Sequence, residues 1–484
     1  MTLLCGLLSV CAGNNEASMA GEDSTAESME PVAQEQTHWL SPEQERWVDE
    51  PVFNGKLHLV EAGGSNQQTV ILIHGLGYLG LLDWAKVFPA LTDKYHVIAI
   101  DLPGFGGSDR QQMQYAPQKY AELVSWVVGR FAHGGVIVIG HSMGGAVSLR
   151  YACDYPEQVS RLIMVDAAGI LQRTVFIRHM AKIPTRYEWL EPYQNRIPGL
   201  RGFVKKLAGK TDNLTRSLLV TMDRLPDIPQ LMMSNGLARK YLYKDHATLN
   251  AALGLVYEDF SRAAREVAVP THIIWGDHDS VAPIRTGVVL AGLLPNAELH
   301  QVKDAGHTPM TDNFAGFMQV LEHSLENEPQ AGQAQKRLLM AESKPQIKEP
   351  LRCDGQQNQV FTGHYQSIQL KNCHGIVLRD LAAESIVLVS SDASLENVRL
   401  NSTGTALIAI DSVVTATLLQ VDAMVGLDVG NSYLDIAGAT ITTGNSLANI
   451  RQNSQIYFSL SQHRQGDLTR ELHGVSLGPV FNLQ

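Results

Sequence analysis

The sequence predicts an α/β fold over residues 51–327, with a mostly parallel sheet covered on both faces, followed by an all-β domain over residues 351–484. Three observations carry that expectation. Short, continuously apolar runs alternate with helix-length stretches through the middle of the chain, the pattern of strands buried on both faces of a sheet. After position 350 the pattern gives way to weak self-similarity at about twenty residues. The third is bulk: 484 residues with 44% hydrophobic and 18% charged side chains can bury large cores, which excludes wholesale disorder.

The chain opens on an apolar stretch, Met1 to Ala12, and continues into a polar tract rich in Glu, Ser, Ala, Gln and Asn. Residues 1–50 carry ten acidic side chains against one basic, Arg46, so nine of the eleven surplus negative charges sit there. Such a tract buries too little to fold and reads as a tether. The apolar stretch has the character of a secretory h-region, although no Lys or Arg precedes it. Leu8-Ser9-Val10-Cys11 resembles a bacterial lipobox, with Cys11 as the lipid-modified residue and Val10 in place of the usual small one. The expectation is an exported protein, either a lipoprotein tethered to a membrane through Cys11 or a periplasmic or secreted form. A cytoplasmic protein with a plain apolar N-terminus is the alternative. No run reaches the roughly 18 apolar residues of a spanning helix. The remainder of the chain is nearly neutral and lacks a basic patch, which argues against a nucleic-acid partner.

The strands then come in order: Thr69–Ile73, Tyr95–Ile100, Val136–Ile139, Leu162–Val165 and Thr271–Trp275, with helical stretches such as Pro117–Ala132 and Phe314–Leu325. In such a sheet, chemistry belongs at the carboxyl ends of strands. Directly after Val136–Ile139 comes Gly140-His141-Ser142-Met143-Gly144, a G-x-S-x-G set between a strand and a helix. A side chain at 140 or 144 would collide with the neighbouring strand and helix. The turn lifts the Ser142 hydroxyl off the sheet, and the helix behind it offers N–H groups to negative charge.

A serine hydroxyl needs a base, and the base needs a third group to hold it. Asp277 and Asp279 follow the Thr271–Trp275 strand, and His307 follows the strand-like Glu298–Val302 in Asp304-Ala305-Gly306-His307-Thr308-Pro309. Asp166 ends the strand after the nucleophile, so three acids compete for one role. With G-x-S-x-G, Gly276-Asp277-His278-Asp279 and Gly306-His307 in this order, residues 52–327 resemble the α/β-hydrolase superfamily. The resemblance implies Ser142 as nucleophile, Asp279 as the acid and His307 as the base. It also implies an oxyanion hole made by the backbone N–H groups of Met143 and of Leu76, in His74-Gly75-Leu76-Gly77. Asp101 to Asp109 is another family hallmark, read as a structural loop. A serine rather than a carboxylate nucleophile points to attack on a carbonyl. No cofactor is expected, since no metal spacing or phosphate loop competes.

An insertion at about 169–250 interrupts the alternation, and the resemblance implies a helical cap whose apolar residues line the substrate pocket. A linker, 328–350, leads to the C-terminal domain. There Cys353, Cys373, Ser394, Ser412, Ser432 and Ser454 precede short alternating runs, which predicts a short parallel β-helix, with an all-β sandwich as the alternative. Stacked strands lie about 4.8 Å apart, so Cys353 and Cys373, one period apart, come within reach of a disulfide if the chain is exported. His364 and His374 have no clean metal-ligand spacing.

The expected activity is cleavage of a hydrophobic, lipid-like or small carboxylic ester through an acyl-enzyme on Ser142, in the manner of a carboxylesterase or lipase. Carbon–carbon hydrolysis of a diketone is the alternative within the fold. From another class, the alternative is a non-catalytic protein whose C-terminal domain binds a surface polymer.

Overall fold

The computed structural model describes residues 41, 43–77, 79–111, 113–171, 247–451, 454–473 and 476–477. The expected tether with Cys11, and all but the ends of the expected cap, lie outside the described residues. Eight strands form one sheet: β1 (Glu45–Glu50), β2 (Gly55–Ala62), β3 (Thr69–Ile73), β4 (His96–Ile100), β5 (Val136–His141), β6 (Val159–Val165), β7 (Thr271–Gly276) and β8 (Ala297–Val302). Their order is β1-β2-β4-β3-β5-β6-β7-β8. β2 runs antiparallel to β1 and β4, and every pairing from β4 to β8 is parallel.

Strands β3, β4, β5 and β7 are buried along their whole length, which is why they read as unbroken apolar runs. β8 is an edge strand, only half-buried at its centre, and its sequence is accordingly mixed. Helices α1 (Pro117–Phe131) and α2 (Met143–Asp154) precede α3 (Ala247–Tyr257), α4 (Arg285–Leu293) and α5 (Phe314–Glu326). α1 begins on Pro117, where no N–H is needed, and buries Tyr120, Leu123, Val124 and Val127 along one stripe. α5 is capped by Asn313, whose side chain accepts the Gly316 N–H at 3.0 Å. The Asp101 carboxylate ties its loop down by accepting the Leu81 and Gly107 N–H groups at 2.7 and 2.8 Å.

The C-terminal domain is all β, built as a coil-on-coil ladder. Cys353, Leu370, Leu388, Ala409, Val429 and Ile450 stand in parallel register, each the partner of the next. Phe361, Leu378, Leu395, Ala416, Ile436 and Phe458 form a second such column. Steps range from 17 residues (Cys353 to Leu370) to 22 (Ile436 to Phe458). A sandwich would pair its strands antiparallel; among the described residues of this domain, antiparallel pairing is confined to its C-terminal end.

From Ser391 onward one corner of each described coil carries a serine rung, and Cys373 holds the same place in the coil before. The Cys373, Ser391, Ser412 and Ser432 N–H groups donate to the hydroxyls of Ser391 (3.0 Å), Ser412 (3.1 Å), Ser432 (2.9 Å) and Ser454 (3.3 Å) one coil on. The residues just before, Asn372, Ser390, Asp411 and Asn431, have φ of 51, 49, 48 and 48°. Such left-handed corners favour Asn and Asp. The structure places the rung at Ser391, three residues before the Ser394 expected from spacing; Ser394 pairs within a strand with Val377 and Thr415. Unequal coil lengths hide that register. Cys353 and Cys373 form a disulfide with Cα atoms 6.4 Å apart. The ladder neighbour of Cys353 is Leu370, so the bond joins a strand to the following corner rather than two facing strand residues.

Residues Gln333–Glu342, inside the stretch read as a linker, form helix α6 and dock on the coils. Glu342 accepts two bonds from Arg399 at 2.6 and 2.7 Å, and the Asn397 side chain donates to Ala334 O. Only Leu338 and Ala341 are buried, so the helix leaves little hydrophobic pattern. The coils also meet the first sheet's domain directly. The Arg285 guanidinium, at the start of α4, donates to Thr417 Oγ1, Ala416 O and Asp435 Oδ2 at 2.9, 2.7 and 2.8 Å. A Cβ on Gly292 would come within 2.5 Å of Leu418, and Ala437 and Leu460 belong to the core of the first domain. Among the described residues no helix is long and apolar enough to cross a membrane.

Candidate active site

Ser142 sits between β5 and α2 with φ 52° and ψ −116°, a strained conformation held by its neighbours. A Cβ at Gly140 would meet Gly144 O at 2.2 Å, and one at Gly144 would meet Ile73 O at 2.2 Å. The two glycines are therefore fixed by backbone approach, as their place in the motif requires. The Ser142 N–H donates to Val165 O at 2.9 Å, pinning the turn to the end of β6.

Across from it, His307 Nε2 lies 2.9 Å from Ser142 Oγ, and His307 Nδ1 lies 2.8 Å from Asp279 Oδ2. With Nδ1–H donating to the carboxylate, Nε2 is left to accept from the hydroxyl. Asp279 Oδ1 is occupied by the Val281 and Ala282 N–H groups at 2.7 and 3.0 Å, so Oδ2 is the oxygen turned to the imidazole. Burial pushes the Asp279 carboxyl up, but His307 and these two N–H groups outweigh it and hold it below the usual range. Of the competing acids, Asp277 turns to His278 at 2.8 Å and to the Ala305 N–H. Asp166 is fully buried beside Asp279, with φ 44°, and its Oδ1 accepts the Gly276 N–H at 2.9 Å. Burial, then the neighbouring Asp279, raises its pKa well above the carboxylate range.

Leu76 and Met143 line the pocket in front of Ser142 and His307, together with Leu171, Leu255, Val281 and Ala282. Two residues that the sequence did not single out complete the surroundings. His141 places Nδ1 3.1 Å from Asp83 Oδ2 and Nε2 2.8 Å from the carbonyl oxygen of His307. Asp83, on a short 3-10 turn after β3, also accepts the Gly75 N–H at 2.9 Å. His141 was in view as the second residue of G-x-S-x-G, but nothing local marks Asp83 as its partner.

The sequence profile of the alpha/beta hydrolase fold matches residues 68–314. The chain belongs to this family. An uncharacterised protein of Mycobacterium tuberculosis is 29% identical to this hydrolase over 266 residues, 53% of this chain and 75% of that one. Lipase 1 of Psychrobacter immobilis is 26% identical over 278 residues, 55% of this chain and 82% of the lipase. A 2-hydroxy-6-oxononadienedioate/2-hydroxy-6-oxononatrienedioate hydrolase of Pseudomonas is 27% identical over 285 residues, 57% of this chain and 93% of that enzyme. Among solved structures, an esterase from Exiguobacterium antarcticum is 19% identical with a TM-score of 0.41, covering 58% of this chain and 99% of the esterase.

Among the hydrolase's described residues, two groups of His and carboxylate side chains stand close enough to share an ion. One, Asp166, Asp279 and His307, lies within the arrangement around Ser142 already described. In the other, His272, Glu298 and His300, the His272 Nδ1 and His300 Nε2 atoms face each other at 3.0 Å with ring centroids 5.2 Å apart. That puts both nitrogens on the line between the rings, the geometry of one shared proton rather than of two lone pairs converging on a cation.

Proposed function

We propose that this α/β hydrolase is a serine carboxylesterase of the lipase-like kind, cleaving esters with apolar acyl groups. The observation that carries the reading is the relay of Ser142 Oγ, His307 and Asp279, with hydrogen-bond distances of 2.9 and 2.8 Å. Ser142 Oγ attacks the ester carbonyl carbon while its proton passes to His307 Nε2. Asp279 holds the imidazole and stabilises the imidazolium. The carbonyl oxygen, now negative, takes the N–H groups of Leu76 and Met143. The C–O bond then breaks, His307 protonates the departing alkoxide, and water attacks the acyl-enzyme by the same route in reverse. His307 must be neutral to accept the proton, so activity is expected to be lost in acid as the imidazole becomes protonated.

The relative from Pseudomonas supports a competing reading, carbon–carbon hydrolysis of a diketone. The enzyme it resembles is named for a dicarboxylate, whereas the described pocket lining contains no Arg or Lys to receive a second carboxylate. Apolar acyl esters fit that lining better. The Cys353–Cys373 disulfide supports extending the reading to an exported protein.

Fluorophosphonate labelling of wild type and Ser142→Ala tests the nucleophile, followed by p-nitrophenyl esters of increasing chain length against a vinylogous diketone. Labelling lost in the variant and ester turnover are expected. Equal labelling of both proteins overturns the assignment of Ser142, and turnover of the diketone alone overturns the ester reading.

A further inference from the structure

We infer that His141 is a fixed imidazolium, paired with the Asp83 carboxylate, that positions the oxyanion loop and the His307 loop on the Ser142 elbow. The charge state follows from the partners of its ring; the kinetic consequence rests on the hydrolase reading above.

A neutral imidazole has one N–H and one lone pair. His141 is 4% exposed, and among the described residues both of its ring nitrogens face acceptors. Nε2 faces the His307 carbonyl oxygen at 2.8 Å, which can only accept. Nδ1 faces Asp83 Oδ2 at 3.1 Å, an oxygen that already accepts the Gly75 N–H at 2.9 Å. Two acceptors require two protons on the ring. His74, nearby, makes the contrast: its Nδ1–H donates to Gly75 O at 2.7 Å while its Nε2 accepts the Leu102 N–H at 2.9 Å, the pattern of a neutral ring.

A protonated Asp83 donating to a neutral His141 is the other way to fill these contacts. Burial favours that form, but Asp83 Oδ2 also accepts the Gly75 N–H, and this bond together with the His141 contact holds the Asp83 carboxyl below its usual range. The other groups against His141 are the His307 ring, 5.1 Å between centroids, and the edge of buried Trp84. Asp83 is thus the carboxylate that neutralises it.

The pair joins three separate stretches of chain. Asp83 holds Gly75, next to Leu76, in the loop after β3; His141 ends β5; the His307 carbonyl lies in the loop after β8. A single ion pair therefore sets the proposed oxyanion donor and the base relative to Ser142. His141 and Asp83 are positioning residues: neither touches the reacting atoms.

The test uses the full chain with 15N-labelled histidine in the Ser142→Ala background. Long-range 1H–15N correlation at pH 7.5 is expected to show both His141 nitrogens protonated, with the signal assigned by its loss in His141→Gln. Asp83→Asn should abolish the imidazolium pattern. In the otherwise wild-type enzyme it should lower kcat on a p-nitrophenyl ester about tenfold with KM changed less than about twofold. A single-proton tautomer of His141, or a kcat unmoved by Asp83→Asn, overturns the inference. Should Asp83→Asn fail to fold, the spectrum of the Ser142→Ala protein still decides the charge. Failure of Ser142 to label would instead overturn the functional reading and leave the spectrum to judge the ion pair.

Discussion

Asp166 and Asp279 share a buried corner of the site, and two carboxyls so placed cannot both ionise at ordinary cost. His307 and two N–H groups hold the Asp279 carboxyl below the usual range, whereas burial holds that of Asp166 well above it. The linkage signs are opposite. The depressed pKa of Asp279 contributes stability above its unfolded value that is lost as pH falls through the folded one. The raised pKa of Asp166 means the folded state binds its proton more tightly, so stability is lost as pH rises above about 4, up to the folded pKa. Asp166→Asn should therefore melt higher than wild type at pH 8 by at least about 2 °C, with the difference vanishing at pH 4. A melting curve at each pH checks it. Asp279→Asn should lower kcat by about 10⁴ with folding intact, by analogy with the acid of other such relays. Ser142, His307 and Asp279 were legible in the sequence because each lies in a short motif at a strand end. The pairing of Asp83 with His141 was not, because a contact across 58 positions leaves no local pattern.

The serine rungs illustrate both the reach and the limit of periodicity. Ser412, Ser432 and Ser454 could be read from spacing alone, since the later coils are nearly equal in length. Ser391 could not, because the coil before it is shorter and Ser394 offers the same letter three places on. Each rung accepts a buried N–H, so Ser412→Ala strands the Ser391 donor and should cost about 1–3 kcal/mol in urea denaturation. Ser394→Ala, on a half-buried strand position, should change stability by no more than about 0.5 kcal/mol. Helix α6 escaped detection for a different reason: polar bonds such as Arg399–Glu342 dock it, and these have no sequence period.

The two-part architecture was visible as a change of pattern near residue 350, but the union of the parts was not. Arg285, three side-chain nitrogens deep in the coils, starts the helix that follows the Asp279 loop and Pro283 of the pocket wall. Arg285→Ala should lower the melting temperature and slow fluorophosphonate labelling of Ser142, while a surface Arg such as Arg379 changed to Ala should leave labelling within about twofold. Cutting the chain after residue 350 would uncover Val289 and Leu293 and remove Ala437 and Leu460 from the first domain's core. The truncated protein is expected to be insoluble or to label poorly, as gel filtration and labelling would report.

That shared core has a consequence for wear. A ladder whose rungs hold one another can be undone from an end, and here the final turns carry Leu460 into the body of the catalytic unit. Loss of those turns would take Leu460 out of that core, so a cut among them is expected to lower the melting temperature of the first domain as well, as limited proteolysis followed by thermal melting would report.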